Sequence, residues 1–337
     1  MPSARETYAA LVTDIIQQLE AGVMPWRRPW AVQRPTNLYT RKAYTGINVL
    51  ALMNSATRRG YRSPSWITEN QALDRGGRIL PSEIDDPTFI AMMYTTKFTV
   101  LSKAGAPVVL RRLSGRSFPV YNLEQTRGLG RLEPAARNLD LWNQGCERIV
   151  EAWTGAPPIV YNQTGACYWP VEDKIGMPDL EQFHSSAAYY ATLFHEMIHA
   201  TGHPSRLNRG GVRPPYPDPH DSLYATEELI AELGSAFLCS DAGIGNASLQ
   251  DNASYISSWL GALSENRTHF FFAAWQAERA CEHVLGRVAP GKRMGNSKLV
   301  DDATPNTTAE RRKLATVAPD AKEATTANPG HADRRAA

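Results

Sequence analysis

Hydrophobic residues recur every three or four positions near the N-terminus, which predicts an amphipathic helix from about Tyr8 to Leu19. The same period predicts helices at 47–59 and 68–75, each followed by glycine. Short β-rich runs follow at 89–94, 96–102, 108–113 and 118–122, with a turn at 103–107. The first half therefore combines helices with a small antiparallel sheet.

The second half has a different order of predicted elements. A helix at 146–154 precedes strands at 158–162 and 166–171, and helices follow at 185–201, 226–239, 253–265 and 269–285. Residues 128–145 have the weak periodicity of a linker, and residues 291–337 have the composition of a disordered tail. We expect an α+β protein with two domains, at 1–143 and 146–290.

Charge separates the two halves as clearly as the hydrophobic pattern does. Residues 1–145 carry 19 Lys and Arg against 11 Asp and Glu, whereas residues 146–290 carry 8 against 17. The basic half is the candidate for binding a polyanion. The four cysteines form no Cys-x-x-Cys pair, and no apolar run is long enough for a membrane span. We expect a cytoplasmic protein with no membrane partner.

The candidate chemistry lies in the segment His195-Glu196-Met197-Ile198-His199. On a helix, His195 and His199 share one face and can bind one metal ion. Glu196 is rotated by about 100° from His195, which is the position of a general base next to the metal. The surrounding apolar residues predict a buried helix, where unsatisfied polar groups would be costly.

A catalytic metal site needs a third protein ligand. His203 follows a Gly202 break, where the chain could fold back towards the site. Glu228 and Glu232 form an i, i+4 pair on one flank of a later helix, while Glu227 lies on the other flank. We predict Glu228 as the ligand, with Glu232 and His203 supporting the ligands from behind. Zinc is the expected divalent ion and manganese the alternative.

Aromatic and basic residues alternate after the first helix, a mixture that suits single-stranded nucleic acid. The predicted DNA-binding residues are Trp26, Arg27, Arg28, Trp30, Arg34, Tyr39, Arg41, Lys42 and Tyr44. The alternative interpretation places these tryptophans in the core and these arginines on a solvated face.

Several short motifs are shared with a known family. They include Gly22-Val23-Met24-Pro25-Trp26, Tyr44-Thr45-Gly46-Ile47-Asn48, Trp66-Ile67-Thr68, the segment from His195 to Arg209, and Glu227 to Leu238. On these motifs the chain resembles the ArdC-type antirestriction proteins of conjugative plasmids over most of residues 5–290. The first half also looks like the N-terminal region of plasmid-encoded conjugative primases.

This resemblance implies an N-terminal domain that binds single-stranded DNA and a C-terminal zincin-like metallopeptidase domain. It implies protection of incoming plasmid DNA from host restriction, and it assigns the third ligand to Glu228 with Glu232 behind the ligands. The expected partners are single-stranded DNA and a host restriction enzyme or another DNA-bound protein.

Three kinds of function remain open. The protein could be a DNA-tethered metallopeptidase, a non-enzymatic shield that coats DNA and has a structural metal, or a module whose acidic half docks on a restriction enzyme.

Overall fold

The structure is a computed structural model that describes residues 1–26, 33–101, 107–130, 139–212, 222–245, 256–257, 259–261, 263 and 268–287. Residues up to Ala289 belong to one compact unit. The predicted disordered tail, 291–337, lies outside the described residues. No helix in the described ranges has the length and apolarity to cross a bilayer.

The first half contains three helices and six strands among its described residues. The helices are α1 (Ala4–Glu20), α2 (Ile47–Arg59) and α3 (Glu69–Asp74). The strands are β1 (Thr36–Asn37), β2 (Ser65–Ile67), β3 (Arg78–Ile79), β4 (Thr88–Leu101), β5 (Pro107–Asn122) and β6 (Thr126–Arg127). One sheet has the order β1-β2-β5-β4, and β3 pairs with β6 in a separate ribbon.

The long hairpin of β4 and β5 differs from the four short strands predicted for this region. Its antiparallel register is continuous from the pair Thr88↔Val120 to the pair Leu101↔Pro107. Thr95, the residue between the first two predicted runs, favours extended backbone and therefore does not end the strand.

The second half is mainly helical. Its helices are α4 (Leu139–Ala152), α5 (Ser186–Thr201), α6 (Ser222–Ala242) and α7 (Thr268–Val284). A small sheet consists of β7 (Ile159–Val160), β8 (Cys167–Trp169) and β9 (Lys174–Gly176), in the order β7-β9-β8. Helix α4 begins inside the predicted linker. Gly145 is part of this helix. A Cβ at this position would lie 2.9 Å from the carbonyl oxygen of Ala242, so glycine lets α4 approach α6 closely.

One hydrophobic core joins the two halves. Val12 and Ile15 of α1 belong to the same buried cluster as Phe194 of α5, Phe237 of α6 and Phe270 of α7. The change in sequence character near residue 145 therefore does not coincide with a break in packing.

Candidate metal centre

Helices α5 and α6 carry the candidate site and pack closely on each other. Ser185 caps α5 by accepting a hydrogen bond from the Ala188 amide, 3.1 Å away. On α6, a Cβ at Gly234 would lie 2.7 Å from Cγ1 of Ile198, so this glycine allows the close approach. The helix that carries the two histidines is thereby held against the helix that carries three glutamates.

Three potential ligand atoms converge between these helices. The Nε2 atoms of His195 and His199 lie 3.1 Å apart, and each is 3.5 Å from an oxygen of the Glu228 carboxylate. All three ligand atoms lie within 4.8 Å of one another. Two imidazole nitrogens and a carboxylate that face one point form a donor set suited to a divalent metal ion.

Each histidine has a carboxylate behind it. Nδ1 of His195 lies 3.7 Å from Oε1 of Glu232, and Nδ1 of His199 lies 3.3 Å from Oε1 of Glu227. Such carboxylates orient the ring and favour the tautomer whose Nε2 lone pair faces a metal.

Glu227 and Arg209 contact the metal-site cluster in a way that the sequence interpretation missed. Arg209 donates from Nε and Nη2 to both carboxylate oxygens of Glu227, at 2.8 and 2.6 Å, and from Nη1 to Thr201 Oγ1. Both side chains are buried. Arg209 therefore fixes the carboxylate that contacts His199. The signal that could have indicated Arg209 is its place at the end of the motif that begins at His195.

Burial and charge oppose each other at these residues. Burial lowers the pKa of His199, but the carboxylates of Glu228 and Glu227 outweigh it and the pKa is raised well above its ordinary value. The pKa of His195 is also raised, because Glu228 outweighs burial. Burial raises the pKa of Glu228, yet the two histidines lower it overall. A bound metal ion would displace protons from this cluster.

Glu196 is buried, and its position is set by strand β8. Its Oε2 accepts a hydrogen bond from the Tyr168 amide at 2.8 Å. The Tyr168 hydroxyl donates to Oδ1 of Asp173 at 2.7 Å, and Arg206 binds both partners. The backbone that holds Glu196 is thus itself anchored by a partly buried polar network.

His203 does not support the ligands as predicted. Its Nδ1 shares a 2.7 Å hydrogen bond with Ser205 Oγ and lies 3.9 Å from Oδ2 of Asp173. The turn after α5 directs this ring towards Asp173, so His203 is outside the cluster formed by the other two histidines and Glu228.

Trp26 is a core residue, which corrects its prediction as a DNA-stacking residue. It is 1% exposed, and its ring centroid lies 5.7 Å from that of Trp259 and 6.0 Å from that of Phe270. A ring packed in this way has no face available for a base.

Arg34 is likewise buried instead of facing DNA. Its Nη1 lies 3.0 Å from Oδ2 of Asp241, its Nη2 binds Glu278, and its Nε donates to the Tyr44 carbonyl at 3.0 Å. Its charge is satisfied inside the protein. Tyr44 is half-buried, and its hydroxyl accepts a hydrogen bond from Asn37 at 3.2 Å.

Three of the predicted DNA-binding residues are exposed. Tyr39 is 46% exposed, and Arg41 and Lys42 lie beside it on the same turn. The other three, Arg27, Arg28 and Trp30, lie outside the described residues.

Comparisons with known proteins match both halves of the chain. Residues 146–276 match a zincin-like metallopeptidase family, and residues 5–103 match the N-terminal domain of the anti-restriction factor ArdC. The chain is similar to the metal-free structure of the antirestriction ArdC protein from the R388 plasmid, at 33% identity and a TM-score of 0.64, with 82% of this chain and 96% of that chain covered. The Mn(II)-bound structure gives 33% identity and a TM-score of 0.62, with coverages of 85% and 99%.

A curated relative is much longer than this chain. It is the DNA primase TraC of Escherichia coli, 35% identical over 290 residues, which are 80% of this chain and 26% of the primase. The chain therefore spans about a quarter of that relative's length.

Proposed function

The chain belongs to the ArdC antirestriction family, and on that premise we propose that it protects incoming conjugative plasmid DNA from host restriction. In this proposal the first half binds single-stranded DNA and the second half is a metal-dependent peptidase that acts on a protein bound to that DNA. The 96% coverage of the ArdC structure supports the assignment, because both halves and their order are shared.

The proposed ligands are His195, His199 and Glu228, and the proposed ion is zinc or manganese. The Mn(II)-bound ArdC structure supports a divalent ion, and the cluster of His195, His199 and Glu228 offers the donors for one. When bound, the ion would supply Lewis-acid polarisation of a peptide carbonyl.

Glu196 is the proposed general base. Its Oε2 accepts the hydrogen bond from the Tyr168 amide. We therefore assign to Oε1 the role of accepting a proton from water and then donating it to the leaving amine. The observation that carries the peptidase proposal is this buried carboxylate, which a backbone amide fixes one residue after the proposed ligand His195. A metal with a purely structural role would not require such a group.

The test is restriction protection of a plasmid transferred into a restricting host by wild type and by Glu196→Gln at matched expression. We expect the substitution to reduce transfer to the level seen without the protein, while metal content and affinity for single-stranded DNA are retained. Glu181→Gln is the matched control, because Glu181 is exposed in the same half. Full protection by Glu196→Gln would refute the peptidase proposal and favour the DNA shield or the docking module.

A further inference from the structure

Two arginines face each other across the ribbon of β3 and β6. The register pairs Arg78 with Arg127, and both residues are exposed. Directly opposed residues of an antiparallel pair point to the same face, with Cβ atoms about 5 Å apart. The ribbon therefore holds two guanidinium groups side by side towards solvent.

This pair is electrostatically unfavourable for the fold alone, because like charges directly opposite each other destabilise a ribbon. Within the described residues, neither Arg78 nor Arg127 forms a salt bridge, whereas Arg58 pairs with Asp14 and Arg59 with Asp86 in the same half. A pair of like charges that repel each other and have no counterion among the residues that the structure describes is suited to an external anion.

The exposed turn at Tyr39 belongs to the same region. Leu38 and Ile79 belong to one small hydrophobic core, and Leu129 packs against it. The turn that follows Leu38 and the ribbon that contains Ile79 therefore border the same core. Arg75 Nη1 donates to the Leu38 carbonyl at 3.0 Å, which joins the end of α3 to this turn.

The turn itself is ordered by local hydrogen bonds. Asn37 Oδ1 accepts from the amides of Tyr39 and Thr40, at 3.0 and 2.8 Å, and Arg41 adopts a φ of 62°. The Asn37 amide group also donates to Gln71 of α3 at 3.0 Å. These contacts hold an exposed aromatic ring and two further cations on a turn that Arg75 joins to the segment leading into β3. We call this surface the arginine patch; it consists of Tyr39, Arg41, Lys42, Arg75, Arg78 and Arg127.

We propose that the arginine patch binds the phosphodiester backbone of single-stranded DNA and that Tyr39 stacks on a base. The inference rests on the proposed function and assigns its DNA contacts to residues other than the buried Trp26 and Arg34. The patch has five cations, and α3 beside it carries two exposed acidic residues, Glu69 and Asp74. Cations together with an exposed ring fit an unpaired strand, because the ring needs a free base face.

The test measures the affinity of the full chain for a fluorescent oligothymidylate of about 20 nucleotides, a length that exceeds typical single-strand sites. The variant combines Arg78→Gln with Arg127→Gln, and its control combines Arg58→Gln with Arg148→Gln, which removes the same charge from exposed positions elsewhere. Each phosphate contact contributes about 0.7 to the slope of log affinity against log salt. We therefore expect about 25-fold weaker binding at about 0.1 M salt and a slope shallower by about 1.4, and about tenfold weaker binding for Tyr39→Ala.

The melting temperature separates binding from folding. Because the opposed charges repel, the patch variant should melt at the wild-type temperature or above, and a lower melting temperature would indicate a structural role and overturn the inference. Equal binding by the patch variant and the control would also overturn it while leaving DNA binding by the protein intact. If wild type itself fails to bind the oligonucleotide, the DNA-binding part of the proposed function fails as well.

Discussion

The buried ion cluster around Arg34 gives a sharp prediction about stability. Arg34 comes from the first half, whereas its partners Asp241 and Glu278 lie on α6 and α7 of the second half. The three side chains are only 6%, 13% and 11% exposed. Replacing Arg34 with methionine preserves much of its apolar volume but leaves two carboxylates without their cation.

Removing one partner of a buried ion pair costs about 3–5 kcal/mol, because the remaining charge stays desolvated. We expect Arg34→Met to lower the free energy of unfolding by that amount. The matched control is Arg58→Met, because Arg58 is 65% exposed and its pair with Asp14 is a surface pair worth about 0–1 kcal/mol.

The deficit should depend on pH. Burial raises the pKa of Asp241, and Arg34 acts against that shift. Without Arg34 the folded pKa rises further above the unfolded value of about 3.9, so the folded state retains this proton longer than the unfolded state does. Stability of the variant relative to wild type should therefore fall as pH rises from about 4 towards neutrality.

Urea unfolding of wild type and both variants between about pH 4 and 8 measures these differences, with the slope m checked for constancy. A deficit for Arg34→Met no larger than that of Arg58→Met, or one independent of pH, would contradict a stabilising role for this buried ion cluster.

Three further predictions concern core packing, the group behind a metal ligand and the pH dependence of metal binding. Trp26→Ala should destabilise the protein by about 3–5 kcal/mol in urea unfolding, since a large core side chain is lost. Tyr39→Ala should leave stability nearly unchanged, and comparable destabilisation by both substitutions would contradict the buried and exposed placements of these two rings. Glu227→Gln should weaken metal binding by about 10–100-fold in calorimetry, because the carboxylate behind His199 is lost, and unaltered affinity would remove Glu227 from the site. Apparent metal affinity should rise with pH from about 6 to 8, because both ligating histidines have raised pKa values and must lose protons to bind; a flat profile in competition with a chromogenic chelator would contradict this.

Local periodicity predicted the elements that depend on nearby residues. Helix α2 has the predicted bounds of 47–59, and α5 begins one residue after the predicted start at 185. The first residues of helix α4 were predicted as linker because Gly145 interrupts the hydrophobic pattern. That glycine allows close contact with Ala242, almost 100 residues away in the chain. Close approach between helices leaves little trace in local spacing.

The same distinction applies to the site. Helical spacing is enough to place His195 and His199 on one face, and the i, i+4 pair on the later helix identified Glu228 and Glu232 as candidates. The role of Glu227 depends on Arg209, which reaches it from the turn after α5 and has no periodic relation to it. The alternation of aromatic and basic residues did not reveal that Trp26 packs on Trp259, because the contact joins opposite ends of the described chain.

Whether His195, His199 and Glu228 form one divalent-metal site is tested by the metal content and metal affinity of Glu228→Gln against wild type, with Glu181→Gln as the exposed control. We expect one ion per chain in wild type and in the control, and an affinity at least about 100-fold weaker in Glu228→Gln. Wild-type affinity in Glu228→Gln would contradict the assignment of the third ligand.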